Sequence, residues 1–475
     1  MLGDDDRELM RAVSDYLRHV NELSARETLS QRTPLGDAIS DHLGVDASQV
    51  SVQVERIPDH RLVDADLALS ALSGSESRLL GVTGPDQRHH QGLSEWVTNP
   101  YAPYVPGPVD YAERATGPGV TMRVVSLGVR LFTFDGTPFV VAQRAAAPEF
   151  GRQFAQLEVM SANDAAVPAF FEALRRAMIE HSVLRGQVLS FQPTEYGQDA
   201  GATFVDRPQV SADDIVLADG VLEEIVHHVI DIGRSSQALR DAGQHLKRGV
   251  LMYGPPGTGK TLTVRHLLTA TPDVTAVVLT GSSIRFVTAA AEIARTFQPA
   301  IVVLEDIDLV AMERHSSPQP LLFEVLDALD GLGGDADVAF VMTTNRVDVL
   351  ERALAERPGR VDLAVEIPLP AEEERRRLFR RYAYDLPFSD EALTAAAVRA
   401  EGSTGSFAKE LMRRAVLRAV GEGRKPDDAD LTAELDRLLD SRQRLTRAML
   451  GSGDGGSADQ LLHEDHSASF GWFSG

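Results

Sequence analysis

The sequence predicts an α/β fold in which a parallel sheet, encoded between residues 206 and 370, is preceded by a separate α+β region and followed by helices. Three observations support this prediction. Apolar runs alternate with helical stretches, a glycine-rich loop follows the first run, and the composition changes near residue 206. Apolar strands separated by helices are typical of a parallel sheet covered on both faces. The predicted strands are 250–253, 274–279, 301–304, 338–342 and 361–367.

The first part of the chain, residues 1–115, is interpreted as a helical and mixed region with a linker. Apolar residues recur at helical spacing between 9 and 20, which predicts an amphipathic helix. Residues 74–119 are rich in Gly, Pro, Ser and Tyr, which predicts a linker or a long surface loop.

Residues 116–205 are predicted to form a small α+β domain. Asp135 and Gly136 lie between two strand-like runs, a pattern typical of a hairpin turn. A helix is expected near 168–181 and a strand at 187–191. The region contains no catalytic constellation, so an adaptor or substrate-recognition role and a purely structural role both remain open.

The end of the chain is predicted to be helical over 371–450 and to form a flexible tail over 451–475, which is rich in Gly and Ser. The tail carries the aromatic group 470–473, which reads FGWF. Exposed aromatic residues at a flexible terminus can dock onto a partner. Folding back onto the protein itself is the alternative.

Composition limits the classes of function. The chain of 475 residues carries a formal charge of −23, from 70 acidic and 47 basic residues, which argues against a general nucleic-acid binder. It contains no cysteine, which excludes disulfides and thiolate metal sites. The acidic N-terminus does not resemble a signal peptide, and no apolar stretch approaches the roughly 20 residues of a membrane span. A cytoplasmic protein is expected.

Residues 254–261 read GPPGTGKT and directly follow the apolar run 249–253. In this spacing the glycines let main-chain N–H groups surround phosphate, Lys260 reaches the β- and γ-oxygens, and the Thr261 hydroxyl joins a Mg²⁺ shell. The segment 262–268 is predicted as a helix whose N-terminus faces the anion. The motif predicts a site for a nucleoside triphosphate with Mg²⁺. Its expected contact residues are Gly254, Pro255, Pro256, Gly257, Thr258, Gly259, Lys260, Thr261 and Leu262.

Polar residues follow the next predicted strands, where ligands of parallel sheets bind. Glu305 and Asp306 can hold Mg²⁺ through its waters and orient or deprotonate an attacking water. The amide of Asn345 can hold the same water or the γ-phosphate. Arg357 and Arg360 lie on a rigid turn, and an arginine from a neighbouring subunit can stabilise phosphoryl transfer.

Together, these motifs resemble the AAA+ ATPase family, within its AAA branch proper, from about residue 213 to 421. Residues 255–261 look like the Walker A loop, Glu305-Asp306 like Walker B and Asn345 like sensor 1. The fold that the resemblance implies is a P-loop ATPase core over 206–370.

The resemblance also implies an oligomer and further contacts. Family members form rings, usually hexamers, with ATP between subunits, which makes Arg357 and Arg360 candidate arginine fingers. A helical lid is expected from residue 371. Gly405 and Ser406 resemble the sensor 2 region near adenine, and Ile215 lies where the family has an N-terminal adenine contact.

Some residues depart from the family pattern. Most members have Asp then Glu at Walker B, whereas this chain has Glu305 then Asp306, an order that resembles the branch containing the mitochondrial Rieske-protein translocases. A shorter base holds its water differently, so slow turnover is expected. Residues 281–287 lack the aromatic-hydrophobic-glycine loop of threading unfoldases, and Phe286 is either a substitute for it or a core residue.

The sequence therefore predicts an ATPase that remodels a protein or protein complex. Two alternatives remain open. The first is an assembly scaffold gated by ATP with slow hydrolysis, which the reversed Walker B order motivates. The second is a DNA-directed motor, which the acidic composition disfavours.

Overall fold

The computed structural model describes residues 16, 32–99, 101–193, 200–308, 327, 331, 333–346 and 361–440. The chain splits into two compact units. The N-terminal unit comprises residues up to 185 together with 192–205, and the C-terminal unit comprises 186–191 and the chain from residue 206. Apart from Tyr16, the predicted helix at 9–20 lies outside the described residues, as does the tail 451–475.

The N-terminal unit is built on an antiparallel sheet in the order β1-β7-β6-β5-β2-β3, with β4 paired to β5. Its strands are β1 Gln53–Ile57, β2 Arg78–Thr83, β3 Val105–Gly107, β4 Asp110–Gly117, β5 Val120–Phe134, β6 Thr137–Arg144 and β7 Ala155–Ser161. Its helices are α1 Pro34–Leu43, α2 Leu62–Ser73, α3 Leu93–Val97 and α4 Val167–Glu180.

Helices cover both faces of this sheet. Successive residues of β5 point to opposite faces, so this strand contributes to the packing on each side. Val124 and Phe132 pack with residues of α2 and α4 in one core. Val129 and Leu131 pack with residues of α1 and α3 in the other. The sheet therefore carries a core on each face.

A tight hairpin joins β5 to β6 at the predicted turn. Asp135 and Gly136 both have positive φ angles, 47° and 75°. Two consecutive positive φ angles are the requirement of a type I′ turn, which matches the twist of the flanking strands.

The segment 74–119 differs from its interpretation as a linker or surface loop. It contributes β2, α3, β3 and β4 to the unit, and both Trp96 and Tyr104 are fully buried. The boundary predicted between 115 and 116 lies inside β4, and β1 pairs with β7 across that boundary. Turn-forming residues interrupt these short strands, and β2 pairs with β5, about 50 residues further along the chain.

The C-terminal unit contains a parallel sheet in the order β14-β10-β13-β12-β11-β8. The strands that follow β7 along the chain are β8 Val188–Pro193, β9 Ala200–Val205, whose residues belong to the N-terminal unit, β10 Arg248–Tyr253, β11 Thr275–Thr280, β12 Ala300–Glu305, β13 Val338–Thr344 and β14 Leu363–Glu366. Val188 of β8 pairs with Ala276 of β11, which explains why 186–191 belongs to this unit although the predicted boundary was at 206.

Helices surround and follow this sheet. Short helical turns occupy 221–241, and the longer helices are α5 Lys260–Thr269, α6 Val287–Thr296, α7 Glu372–Ala383, α8 Asp390–Arg399, α9 Gly405–Gly421 and α10 Asp428–Leu439. Helices α7 to α10 share a core that includes Phe379, Phe407 and Leu435. None of the helices in the described part of the chain is long and apolar enough to cross a membrane.

The sheet order places the ends of four strands side by side. In the register, Tyr253 of β10 lies beside Thr344 of β13, and Thr280 of β11 lies beside Glu305 of β12. The loops that leave these strands consequently meet at one edge of the sheet, where ligands bind in α/β folds.

Candidate nucleotide-binding site

The loop between β10 and α5 requires its glycines. Gly254, Gly257 and Gly259 have φ angles of 145°, 79° and 114°. A Cβ atom at Gly254 would lie 2.1 Å from the carbonyl oxygen of Ile367. Residues with a Cβ atom rarely adopt these φ angles, so the loop conformation depends on glycine. This is the requirement expected of a main chain that surrounds phosphate.

The ammonium group of Lys260 lies within this loop. The residue is 6% exposed, and Nζ donates hydrogen bonds of 2.8 Å to the carbonyl oxygens of Gly254 and Pro255. Burial lowers the pKa of Lys260 to about 8, and the carboxylates of Asp306 and Asp308 oppose this effect. Phosphate oxygens are stronger acceptors than carbonyl oxygens, so the ammonium group can exchange one for the other.

Glu305, the last residue of β12, lies beside the first turn of α5. The hydroxyl of Thr261 lies close enough to the Glu305 carboxylate to affect its pKa. Burial and the neighbouring Asp306 raise the pKa of Glu305, and the Thr261 hydroxyl opposes this rise. A hydroxyl and a carboxylate together are oxygen ligands that suit Mg²⁺ and its waters.

Asp306 adopts an uncommon backbone conformation, with a φ angle of 53°. Its N–H donates to the hydroxyl of Thr343 over 3.0 Å, and its Oδ1 accepts a hydrogen bond of 3.1 Å from Nδ2 of Asn345. Such a conformation costs about 1–3 kcal/mol and is most frequent at functional sites. The backbone and both hydrogen bonds therefore fix the carboxylate beside the amide.

Asp308 stabilises this arrangement through hydrogen bonds to the end of β13. It is buried, and its Oδ1 accepts hydrogen bonds from the Thr344 hydroxyl at 2.9 Å and from the Asn345 N–H at 3.2 Å. Asp308 thereby connects the loop after β12 to the end of β13. Sequence reasoning assigned it no role, although its position two residues after Asp306 at the end of a buried strand was a usable signal.

A pocket lies next to the glycine-rich loop. This cavity of about 80 Å³ exceeds the 10–15 Å³ that one water requires. Its walls include Thr258 of the loop and Gly405 of α9. The remaining walls are mostly apolar and include Leu217, Ala218, Val221, Ile367 and Leu378. An apolar pocket beside a phosphate loop suits the base of a nucleotide.

The residues that the sequence predicts to contact adenine do not all line this pocket. Gly405 lines it, whereas Ser406 lies against the loop: a Cβ atom at Gly257 would be 2.8 Å from the Ser406 hydroxyl. Ile215 is buried in the core of the sheet, and its neighbours Val216 and Leu217 line the pocket instead. The side chain of Leu262 packs against that same core.

Other predicted residues are placed as follows. Arg357 and Arg360 lie outside the described residues. Phe286 stacks on Phe191 with ring centroids 5.6 Å apart, which favours its interpretation as a packing residue. Of the residues that the structure describes, no group of three or more His, Asp and Glu side chains could hold a metal ion by itself.

These observations fit ATP with Mg²⁺. The loop admits only glycine at its sharpest positions, Lys260 is held where phosphate oxygens can replace its carbonyl partners, and Thr261 with Glu305 forms an oxygen donor pair. Two protein oxygens and phosphate are a typical Mg²⁺ environment, since this ion retains several waters.

Comparison with known proteins agrees with this geometry. Residues 250–369 match the family model of the ATPase family associated with various cellular activities (AAA). The ATP-dependent zinc metalloprotease FtsH 3 of Sphaerobacter thermophilus is 33% identical over 271 residues, which cover 53% of this chain and 54% of that protein.

Two proteasome-related proteins are also similar. The proteasome-activating nucleotidase of Methanopyrus kandleri is 31% identical over 54% of this chain and 63% of its own length. The 26S proteasome regulatory subunit 6A of Saccharomyces cerevisiae is 31% identical over 43% of this chain and 50% of its own length. The chain thus spans about half the length of the curated relatives it matches. Residues 250–369, and the site that they contain, therefore match the AAA ATPase family.

Proposed function

We propose that this chain hydrolyses ATP and uses the reaction to unfold or remodel a protein or protein complex. The observation that carries the proposal is the position of Asp306. Its carboxylate is fixed by Asn345 at the same sheet edge as the phosphate-loop lysine, Lys260. The relatives named as proteasome-activating or ATP-dependent support the protein-directed part of the proposal.

Each residue has a defined part in the proposed hydrolysis. Lys260 binds the β- and γ-phosphate oxygens, and Asn345 orients the attacking water or the γ-phosphate. Asp306 accepts a hydrogen bond from that water and takes up its proton. Thr261 and Glu305 would hold Mg²⁺, which when bound neutralises charge on the phosphate oxygens. The walls of the apolar pocket exclude water from the base.

We further propose a hexameric ring in which Arg357 and Arg360 act on ATP bound by the neighbouring subunit. The test measures phosphate release per subunit during dilution. The rate is expected to fall when the ring dissociates, and an Arg357→Ala, Arg360→Ala variant is expected to bind ATP with little hydrolysis. A rate per subunit that stays constant down to the monomer contradicts this part of the proposal.

We propose a separate role for each part of the chain. The helices after residue 370 act as a lid on the nucleotide, the N-terminal unit recognises the protein substrate, and the whole assembly acts in the cytoplasm. A pull-down in ATP with an Asp306→Asn variant tests the recognition role. Recognition by the N-terminal unit is supported if the Asp306→Asn variant retains a substrate and a variant without residues 1–185 does not. Retention by both variants contradicts it.

An ATP-gated scaffold is the second candidate, and the Glu305-Asp306 order favours it. Asp is shorter than Glu, and a shorter base holds its water differently, so slow turnover is expected. The two functions differ in their need for turnover. If Asp306→Asn abolishes phosphate release yet leaves the remodelling of a purified complex intact, the scaffold is correct and the motor proposal fails.

A further inference from the structure

The apolar pocket next to the glycine-rich loop contains a carboxylate that the proposed reaction does not use. Glu374 is the only charged residue among the described residues that line this pocket. Its Oε2 is buried and has no hydrogen-bond partner within the described part of the chain. Buried polar atoms almost always have partners in native proteins, so an exception requires an explanation.

The position of Glu374 on α7 explains why neighbouring arginines do not pair with it. Residues four apart lie on the same side of a helix, and Leu378 lines the pocket together with Glu374. Arg376 forms its ion pair with Glu372 instead. Arg375 is buried and donates to main-chain carbonyl oxygens, those of Ala397 and Pro370.

We propose that Glu374 accepts a hydrogen bond from the exocyclic amino group of adenine and thereby selects adenine nucleotides. This inference rests on the proposed function, because it assumes that a nucleotide occupies the site. Thr258 places the pocket directly next to the phosphate loop, and apolar side chains such as Leu217 and Val221 suit the faces of a base. The negative charge of a carboxylate excludes phosphate from this end.

The chemistry of the base determines the expected selectivity. Adenine presents an amino donor at the position where hypoxanthine and guanine present a carbonyl oxygen. A donor would satisfy the buried carboxylate with a charge-assisted hydrogen bond, whereas a carbonyl oxygen would repel it and leave it unpaired. The ribose hydroxyls are donors too, and the experiment distinguishes them.

The test compares the affinities of the full-length chain for ADP, IDP and 2′-deoxyADP by calorimetry, since hydrolysis does not complicate binding of diphosphates. Glu374→Gln keeps the shape of the side chain but presents an amide that accepts from adenine and donates to hypoxanthine. Glu373→Gln is the matched control. This substitution removes the same charge, and the neighbouring Glu373 side chain is 69% exposed.

The ratio of the ADP and IDP affinities is the deciding quantity. Glu374→Gln is expected to lower it about tenfold, the equivalent of one charged hydrogen bond, and Glu373→Gln to leave it within about twofold. An unchanged ratio in Glu374→Gln overturns the assignment of Glu374. The assignment is also overturned if the wild type binds 2′-deoxyADP more weakly than ADP and Glu374→Gln does not. The carboxylate would then bind ribose.

A separate control tests the site itself. Lys260→Ala is expected to lose its affinity for both ADP and IDP. A wild-type chain that binds neither nucleotide contradicts the proposed function, whereas binding with a ratio that does not depend on Glu374 contradicts only the present inference. Thermal unfolding of each variant establishes that it is folded.

Discussion

The side-chain amide of Asn345 donates a 3.1 Å hydrogen bond to the carboxylate of Asp306, which holds a left-handed backbone conformation at the end of β12. This contact joins two neighbouring strands of the sheet at the edge where the phosphate loop lies. An amide in this position can orient both the carboxylate and a water that approaches it.

The role of Asp306 as the base can be tested directly. Asp306→Asn retains the size of the side chain but cannot take up a proton, so phosphate release is expected to fall by about 10²- to 10⁴-fold. ATP binding should remain within a few-fold of wild type. The control is Asp335→Asn, at an exposed position away from this edge. Full turnover by Asp306→Asn would exclude Asp306 as the base.

The pKa of Lys260 predicts how nucleotide affinity depends on pH. Burial lowers this pKa to about 8, so the free protein loses the positive charge as the pH rises through 8. Phosphate is bound by the charged form, and ATP affinity should therefore be constant near pH 7 and decrease above about pH 8, by at most about tenfold per pH unit. Calorimetry between pH 7 and 9.5 measures this decrease.

The control for this profile is Lys409→Ala, at an exposed position on α9. It should retain the wild-type dependence on pH. An affinity that is independent of pH up to 9.5 in the wild type would contradict the direct contact between the Lys260 ammonium group and phosphate.

Asp308 is expected to act as a positioning residue. Asp308→Asn weakens the bonds to the Thr344 hydroxyl and the Asn345 N–H, which allows the Asn345 amide to move. We expect kcat to fall by roughly tenfold because misplacement of an orienting group slows phosphoryl transfer. KM for ATP should stay within about twofold of wild type. A change in unfolding temperature without a change in kcat would indicate a structural role only.

Gly257 should not tolerate a side chain. A Cβ atom there would lie 2.8 Å from the Ser406 hydroxyl and 3.0 Å from that of Thr404, and the φ angle of 79° is unfavourable for alanine. Gly257→Ala is expected to cost roughly 1–3 kcal/mol of stability in urea unfolding and to weaken ATP binding. Gly421→Ala, in open space at the end of α9, is the control and should be neutral or slightly stabilising.

The central sheet could be predicted from the sequence because its strands are continuous apolar runs. The predicted strand 250–253 corresponds to Arg248–Tyr253, and 338–342 to Val338–Thr344. The hairpin at Asp135-Gly136 was equally accessible, since its turn chemistry is local.

Features that depend on distant contacts could not be predicted in this way. The pairing of Gln53 with Val159 brings together residues about a hundred positions apart, and no local pattern encodes it. Tyr104 lies in a Pro-rich segment but is fully buried, because α1 and α3 cover that face of the sheet.

The proposed role of Glu374 was obscured by its neighbours. The run 372–377 predicts a solvated helix face, and the expected pair between Glu372 and Arg376 is present, but Arg375 in the same run is buried. Leu378, an apolar residue four positions after Glu374, was the signal that this glutamate lies on a different side of the helix.

The close approach of Gly257 to Thr404 and Ser406 has a mechanical consequence. Thr404 is the N-cap of α9, whose Phe407 and Leu411 belong to the core shared by the last four helices. Because no space remains for even a methyl group between this cap and the loop, we expect any movement of the loop toward the cap to displace α9. The helices that share a core with α9 would move with it, so a change in the loop when phosphate binds can reach the last four helices.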